Sequence, residues 1–183
     1  MLKLGLPGKH GTDLEFRYDD RWELEHTTGP ERIVVAPSKD HIDLLLQLSS
    51  SWKDFRTILY ILLTSRCDNK LGRYESPFLT EIQLNNFLKG YKDFLQSDAR
   101  HHLWIGLVHS KELLVYDQHN VIYCYGDIEN YKKELQKKGF SEGPVTFPSP
   151  HIHSYHPNND PYELMILKEW DWKWSPLADN DQY

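Results

Sequence analysis

The stretch HHLWIGLVHSKELLVYDQHNVIYCYG, residues 101–126, carries the clearest fold signal in the chain. Three short runs rich in β-branched and aromatic residues are separated by polar residues at 109–111 and 117–120, where turns are favoured. This pattern predicts a three-stranded antiparallel meander. A second apolar run, FRTILYILLTSR at residues 55–66, predicts a strand of the same sheet, because both segments need a shared covered face.

Helix signals flank these strands. Thr80 and Gln83 form a capping box, and an apolar stripe at helical spacing follows it over residues 81–96. Asp127 and Gly139 are the residue types that begin and end helices. Both segments are therefore predicted to be helices that pack on the sheet.

The remaining segments complete the predicted order of elements. The alternating stretch at residues 13–27 predicts a hairpin that turns at its Asp-Asp pair, and residues 145–147 predict a short strand. Ser38 is expected to cap a helix that follows it. Another helix is expected to begin at Asp160, because proline at the next position suits the first helical turn.

Hairpins at both ends with helices between them predict an α+β fold. The 183 residues fit one domain, so we expect a single unit over 1–183. It should contain a mostly antiparallel or mixed sheet that includes the meander, with helices packed on it. Residues 1–12 are expected to be a flexible N-terminus and residues 176–183 a polar tail.

Composition narrows the classes of function. The formal net charge of −6 argues against sequence-independent nucleic-acid binding, which needs a clustered positive field. No apolar run is long enough to span a membrane, and the first residues lack the pattern of a signal peptide. The two cysteines have no CxxC spacing, which favours free thiols in a reducing compartment. These features predict a cytoplasmic protein.

The segment PSPHIHSYHPNNDPYE, residues 148–163, contains the main candidate for chemistry. His151 and His153 face the same side if the backbone is extended, as strands often present two imidazoles to one metal. A divalent ion such as Zn²⁺ is then the expected cofactor. The alternative is a strap, in which one of these histidines bonds to the backbone and holds the proline-rich segment on the domain.

A histidine pair alone does not close a metal site, so a third ligand is required. Asp117 and His119, at the second turn of the meander, are the candidates. They could complete a metal shell or act as an acid-base pair. The alternative is that both residues serve the turn itself, because aspartate bonds its own backbone in such turns.

Two further groups are candidates for binding. Arg73 and Tyr74 lie in a predicted polar loop, residues 67–77, where they could recognise a carboxylate or phosphate or belong to an ordinary salt-bridged loop. Three alternating tryptophans could form a binding surface or a lid on the core. These are Trp170, Trp172 and Trp174.

Two functions follow from these patterns. Neither cysteine lies in a recognised nucleophile context, and the chain is acidic and rich in aromatic residues. These features predict a non-catalytic interaction protein, inhibitor-like or immunity-like, that binds a basic macromolecular partner. The alternative is a small metal-dependent hydrolase built from the histidine-rich segment and the meander turn.

Overall fold

A nine-stranded sheet forms the centre of the computed structural model, which describes residues 2–9 and 12–182. Its strands are β3 (Arg21–Glu25), β4 (Arg32–Ala36), β5 (Arg56–Leu62), β6 (Gly72–Glu75), β7 (His101–Leu107), β8 (Leu113–Tyr116), β9 (Ile122–Tyr125), β10 (Ser141–Glu142) and β12 (Lys173–Ser175). The strand order is β10-β3-β4-β9-β8-β7-β5-β6-β12. All pairings are antiparallel except that of β10 with β3.

A smaller antiparallel sheet lies beside the large one. It consists of β1 (Leu4–Pro7), β2 (Asp13–Glu15) and β11 (Ile152–His153), in the order β11-β1-β2. Leu4 pairs with His153, so the start of the chain and the histidine-rich segment are held together.

The described residues contain five α-helices: α1 (His41–Leu48), α2 (Glu81–Gly90), α3 (Lys92–Ser97), α4 (Ile128–Lys137) and α5 (Asp160–Ile166). Apolar side chains of these helices and of one face of the large sheet form the main core, which includes Leu45, Phe87, Leu103 and Tyr116. Together the two sheets and the helices form an α+β fold, as predicted. Among the residues described, no helix is long and apolar enough to cross a lipid bilayer.

The other face of the large sheet, here called the second face, carries the alternate side chains of each strand. Over β4 and β9 it is covered, because Val34, Ala36 and Val121 are buried with Leu4 and Tyr18. On β7 the alternation places Leu103 in the main core and therefore His102 and Trp104 on the second face.

The meander and its neighbour are confirmed. Strands β7, β8 and β9 follow one another in the sheet, and β5 pairs with β7 along its whole length. The capping box at the start of α2 forms as predicted, and the Asp127 side chain accepts a hydrogen bond from the N–H of Asn130 at the start of α4. The helix predicted over residues 81–96 is interrupted at Tyr91, which ends α2 and precedes α3.

The prediction of a flexible N-terminus over residues 1–12 is wrong for the part described, since β1 lies between two strands and Leu4 is buried. The hairpin predicted at residues 13–27 is also wrong, because β2 and β3 belong to different sheets. The Asp20 carboxylate accepts hydrogen bonds from Ser38, and this contact fixes the chain between the sheets.

Several local predictions also need correction. Ser38 does not cap α1, whose N-cap is Asp40. Residues 145–147 are not a strand. The helix that begins at Asp160 ends at Ile166, and Trp174 lies on β12, which pairs with β6. The tail predicted at 176–183 contains a 3-10 turn at Asp179–Gln182 within the described residues.

Candidate functional site

The turn between β8 and β9 presents Asp117 on the second face. Leu103 pairs with Tyr116, which lies in the main core, so the next side chain points the opposite way. The Asp117 carboxylate accepts the backbone N–H groups of His119 and Val121, at 2.8 and 2.9 Å. These bonds close the turn, as expected for aspartate at this position.

The same carboxylate also orients the imidazole of His119. Its Oδ2 lies 3.0 Å from Nδ1 of His119. Since Nδ1 is engaged, Nε2 is the ring nitrogen that remains for another partner. Asp117 can therefore stabilise the turn through the backbone and, in the same geometry, orient the imidazole of His119 for a site.

The segment at residues 144–156, here called the strap, crosses the second face next to this turn. The backbone of Ser154 makes two hydrogen bonds. Its N–H donates to the carbonyl of Lys3, and its carbonyl accepts the N–H of Ala99. His151 Nδ1 lies 3.0 Å from the carbonyl of Pro148, so its Nε2 is also left for another partner. The strap is held by its backbone, while its histidines remain available.

The three imidazoles of His119, His151 and His153 meet at one point. One nitrogen from each lies within 4.8 Å of the other two. The ring centroids are 5.2 Å apart between His151 and His153, and 5.3 and 4.9 Å from each of these to His119. The two strap histidines thus point the same way, and His119 supplies the third nitrogen. Asp117 lies behind His119 in this arrangement.

A cleft of about 290 Å³ opens on the cluster. Phe147 forms one wall, with its ring edge-on to His119 at 5.3 Å. Tyr123 forms another, and its hydroxyl lies 3.4 Å from Oδ2 of Asp117. His151 is exposed and His119 is partly buried, so the cluster can be reached from solvent on the side of the cleft.

Burial sets the charge of the site. Desolvation by burial, with the neighbouring His119 and His151, lowers the pKa of His153 to about 4. A neutral imidazole is the form that binds a metal. Burial acts to raise the pKa of Asp117, but bonds and charge from His119 and the nearby His102 hold it below its ordinary value. His153 is therefore neutral, and Asp117 ionised, at neutral pH.

Lys3 lies beneath the site and was missed by the sequence interpretation, which treated the first residues as flexible. It is fully buried, and its Nζ donates to the carbonyl of Asp117 at 2.9 Å and lies 4.1 Å from the ring centroid of Tyr116. Burial lowers the pKa of Lys3 to about 7. A lysine near the chain terminus gives no sequence signal of such a position.

Two more residues near the cluster were not predicted as part of it. His102 is 4% exposed, and its Nε2 has no hydrogen-bond partner among the described residues. Burial lowers the pKa of His102 to about 4. The adjacent His101 lies in the main core against Phe94, so these two histidines face opposite sides of the sheet. Tyr123 carried only a strand signal.

Arg73 and Tyr74 are not in a loop but on β6, so they point to opposite faces. Tyr74 lies in the main core, and its hydroxyl donates to the carbonyl of Lys70. Arg73 lies on the second face, 5.5 Å from the ring centroid of Trp104. They therefore do not form one site with each other or with the three histidines.

The three tryptophans near the end of the chain divide into two groups. Trp170 and Trp172 pack against the main core, where the ring of Trp170 stacks on Phe87 at 4.7 Å. Trp174 lies on β12 and is 37% exposed. Its indole is the one of the three that remains largely on the surface.

Comparison with known proteins identifies no relative of this chain. No family model matches the chain, and neither a curated protein nor a solved structure matches it.

Proposed function

We propose that the protein is a metal-dependent hydrolase whose centre is formed by His119, His151 and His153. The observation that carries this proposal is the convergence of three imidazole nitrogens within 4.8 Å of one another at the edge of an open cleft. Histidines that lie near one another for other reasons have no need to bring one nitrogen of each ring to the same point.

The donor set favours zinc. Three imidazoles are a recurrent ligand set of catalytic Zn²⁺, with Zn–N distances of about 2.0–2.1 Å. Such distances place the nitrogens of a tetrahedral centre roughly 3.4 Å apart, and here they lie within 4.8 Å of one another. The bond from Asp117 to Nδ1 of His119 is the usual outer contact of a metal-binding histidine, which fixes the ring and its tautomer.

A hydrolytic role follows from the ligand count. Structural zinc sites are closed by four protein ligands, whereas catalytic sites keep one position for water. Here three histidines converge beside a cleft lined by Tyr123 and Phe147, so an ion held by them would have room for a water ligand. Zinc supplies a water whose pKa is lowered to about 7, so that hydroxide is available at neutral pH. The chain positions the ligands and forms the walls that receive the substrate.

The proposal is tested by metal content and activity on tag-free protein. We expect about one equivalent of zinc by mass spectrometry after mild loading, and hydrolysis of activated esters or phosphate esters that a chelator abolishes. The His153→Ala variant should lose both properties. The matched control is His26→Ala, because His26 lies on the surface, where its Nδ1 is 2.7 Å from the carboxylate of Glu31. Zinc content that is equal in the two variants would contradict the proposal.

An acidic interaction protein is the second candidate. Its support is the net charge of −6 together with the exposed side chains of Phe78 and Ile82, which are 63% and 71% accessible. If a basic partner binds there, association should slow as salt rises, because charges at a rim act mainly on the association rate. Recovery of a stoichiometric partner from the native cell, lost in Ile82→Ser, would support this function.

A further inference from the structure

A cavity of about 370 Å³ lies on the second face, apart from the histidine cluster. It shares no lining residue with the cleft over His119. Its floor is formed by side chains of β5, β7 and β8, and its side by β6 and β12. The lining residues are Thr57, Ile58, Leu59, Arg73, Glu75, Trp104, Gly106, Leu113 and Ser175.

Strand register places an arginine beside an aromatic floor in this cavity. Leu59 pairs with both Trp104 and Glu75, and Arg73 pairs with Ser175 on the next row. Arg73 therefore stands one strand beyond the floor, with its guanidinium carbon 5.5 Å from the ring centroid of Trp104. Gly106 adds no side chain to the floor, which leaves the indole face accessible.

Two buried donors at this cavity lack an acceptor. Neither Nε1 of Trp104 nor Nε of Arg73 has a hydrogen-bond partner among the described residues. Nε of Arg73 is 3.7 Å from Oδ2 of Asp181, which is too far for a hydrogen bond. These two atoms are themselves inaccessible, but the Arg73 side chain as a whole is 27% exposed and lines the cavity, so its guanidinium can pair there with a ligand that carries an acceptor.

The charged side chains around the cavity determine which kind of acceptor group a ligand can carry. Asp181 is 2% exposed and brings a carboxylate of the chain itself close to Arg73. Glu75 also lines the cavity, 3.8 Å from Nζ of Lys173. With one carboxylate already on the wall, a dianion such as a phosphate monoester is disfavoured, whereas a single carboxylate can pair with Arg73.

We propose that this cavity binds a small organic carboxylate with a flat apolar body. The carboxylate pairs with the guanidinium of Arg73, and the body lies on Trp104, Leu59 and Leu113. The proposal does not rest on the metal centre, because the two sites share no residue.

The test uses benzoate as the probe and benzamide as its neutral counterpart. Nitrogen-15 NMR of the full chain follows the indole N–H signal of Trp104, which Trp104→Phe identifies by its loss. We expect benzoate to shift this signal with an affinity in the millimolar range, as is usual for a ligand of this size. Benzamide and the Arg73→Gln variant should each weaken binding about tenfold or more, because the charge-assisted bond is lost.

Two further variants keep the test decisive. Asp181→Asn removes the carboxylate that competes for Arg73 but keeps an acceptor for the N–H of Ala178, so benzoate should bind a few-fold more tightly. Arg21→Gln changes an arginine elsewhere on the second face and should leave binding unchanged. No shift of the Trp104 signal at about 10 mM benzoate would overturn the proposal. So would equal losses in Arg73→Gln and Arg21→Gln.

Discussion

The carboxylate of Asp117 lies 3.0 Å from Nδ1 of His119 and accepts the backbone N–H of that residue as well. One side chain therefore shapes the turn and fixes the direction of the imidazole that the turn carries. This coupling explains how a hairpin turn can present an imidazole in a defined orientation. It also makes the role of Asp117 testable apart from that of the ligands.

Asp117→Asn should weaken zinc binding about 10- to 100-fold, the usual effect of removing an outer contact of a metal-binding histidine. Asparagine retains an oxygen for the backbone N–H groups of the turn, but its amide places a donor against His119. Competition with a chromophoric chelator measures the affinity. The control is Asp127→Asn, where the side chain caps α4 and asparagine caps equally well. Equal affinities for the two variants would refute the positioning role.

Zinc should stabilise the folded chain, because the three ligands come together only when β8, β9 and the strap are folded. At a free zinc concentration of 100 times Kd, the free energy of unfolding should rise by about 2.7 kcal/mol. Chemical denaturation with and without the metal measures this. In His151→Ala the increase should be largely lost, and an undiminished increase there would place the metal elsewhere.

Acid should destabilise the protein through histidines that are buried in the neutral form. Burial lowers the pKa of His41 to about 3. The unfolded chain takes up a proton near the ordinary imidazole pKa of about 6.5, while the folded state does not. The contribution of neutral His41 to the free energy of unfolding is therefore greatest above about pH 6.5, and it falls as the pH drops towards 3.

Denaturant titrations between about pH 6.5 and 4.5 test this dependence. Each such histidine contributes a slope of up to about 1.4 kcal/mol per pH unit. His41→Phe should reduce this slope by the contribution of one proton, whatever its effect on the free energy of unfolding at neutral pH. A slope identical in the wild type and His41→Phe would contradict the assignment.

The fold could be predicted from the sequence mainly where a signal is local. The meander and the caps of α2 and α4 depend on turn residues and periodicity within a few positions, and they are confirmed. The pairing of β1 with His153 joins residues about 150 positions apart, so no local sequence pattern predicts it. The polar stretch at residues 72–75 becomes β6 because the strands on each side pair with it.

The candidate site was predictable to the same degree. The spacing of His151 and His153 indicated a shared direction, and the turn residues Asp117 and His119 were the expected source of a third ligand. Which of the two would supply it depends on the hydrogen bond between them. The buried Lys3 and the cavity over Trp104 follow from tertiary packing, which leaves no pattern in the sequence.

A buried ion network joins the start of β7 to α5. Arg100 donates to Asp98 at 2.7 Å and pairs with Glu163, and all three side chains are fully buried. Arg100→Met would leave both carboxylates buried without a cation, which should destabilise the protein by about 3–5 kcal/mol in urea denaturation. The control is Lys132→Met, because that lysine pairs with an exposed Glu129 and should have no measurable effect. A small loss in Arg100→Met would show that the carboxylates find other partners.

X-ray absorption at the zinc edge, on tag-free protein loaded with one equivalent, tests the central claim most directly. The account predicts three imidazole nitrogens at about 2.0–2.1 Å and one further light atom, with one imidazole fewer in His119→Ala. A spectrum with a sulfur at about 2.3 Å, or with fewer than three imidazoles in the wild type, would contradict it.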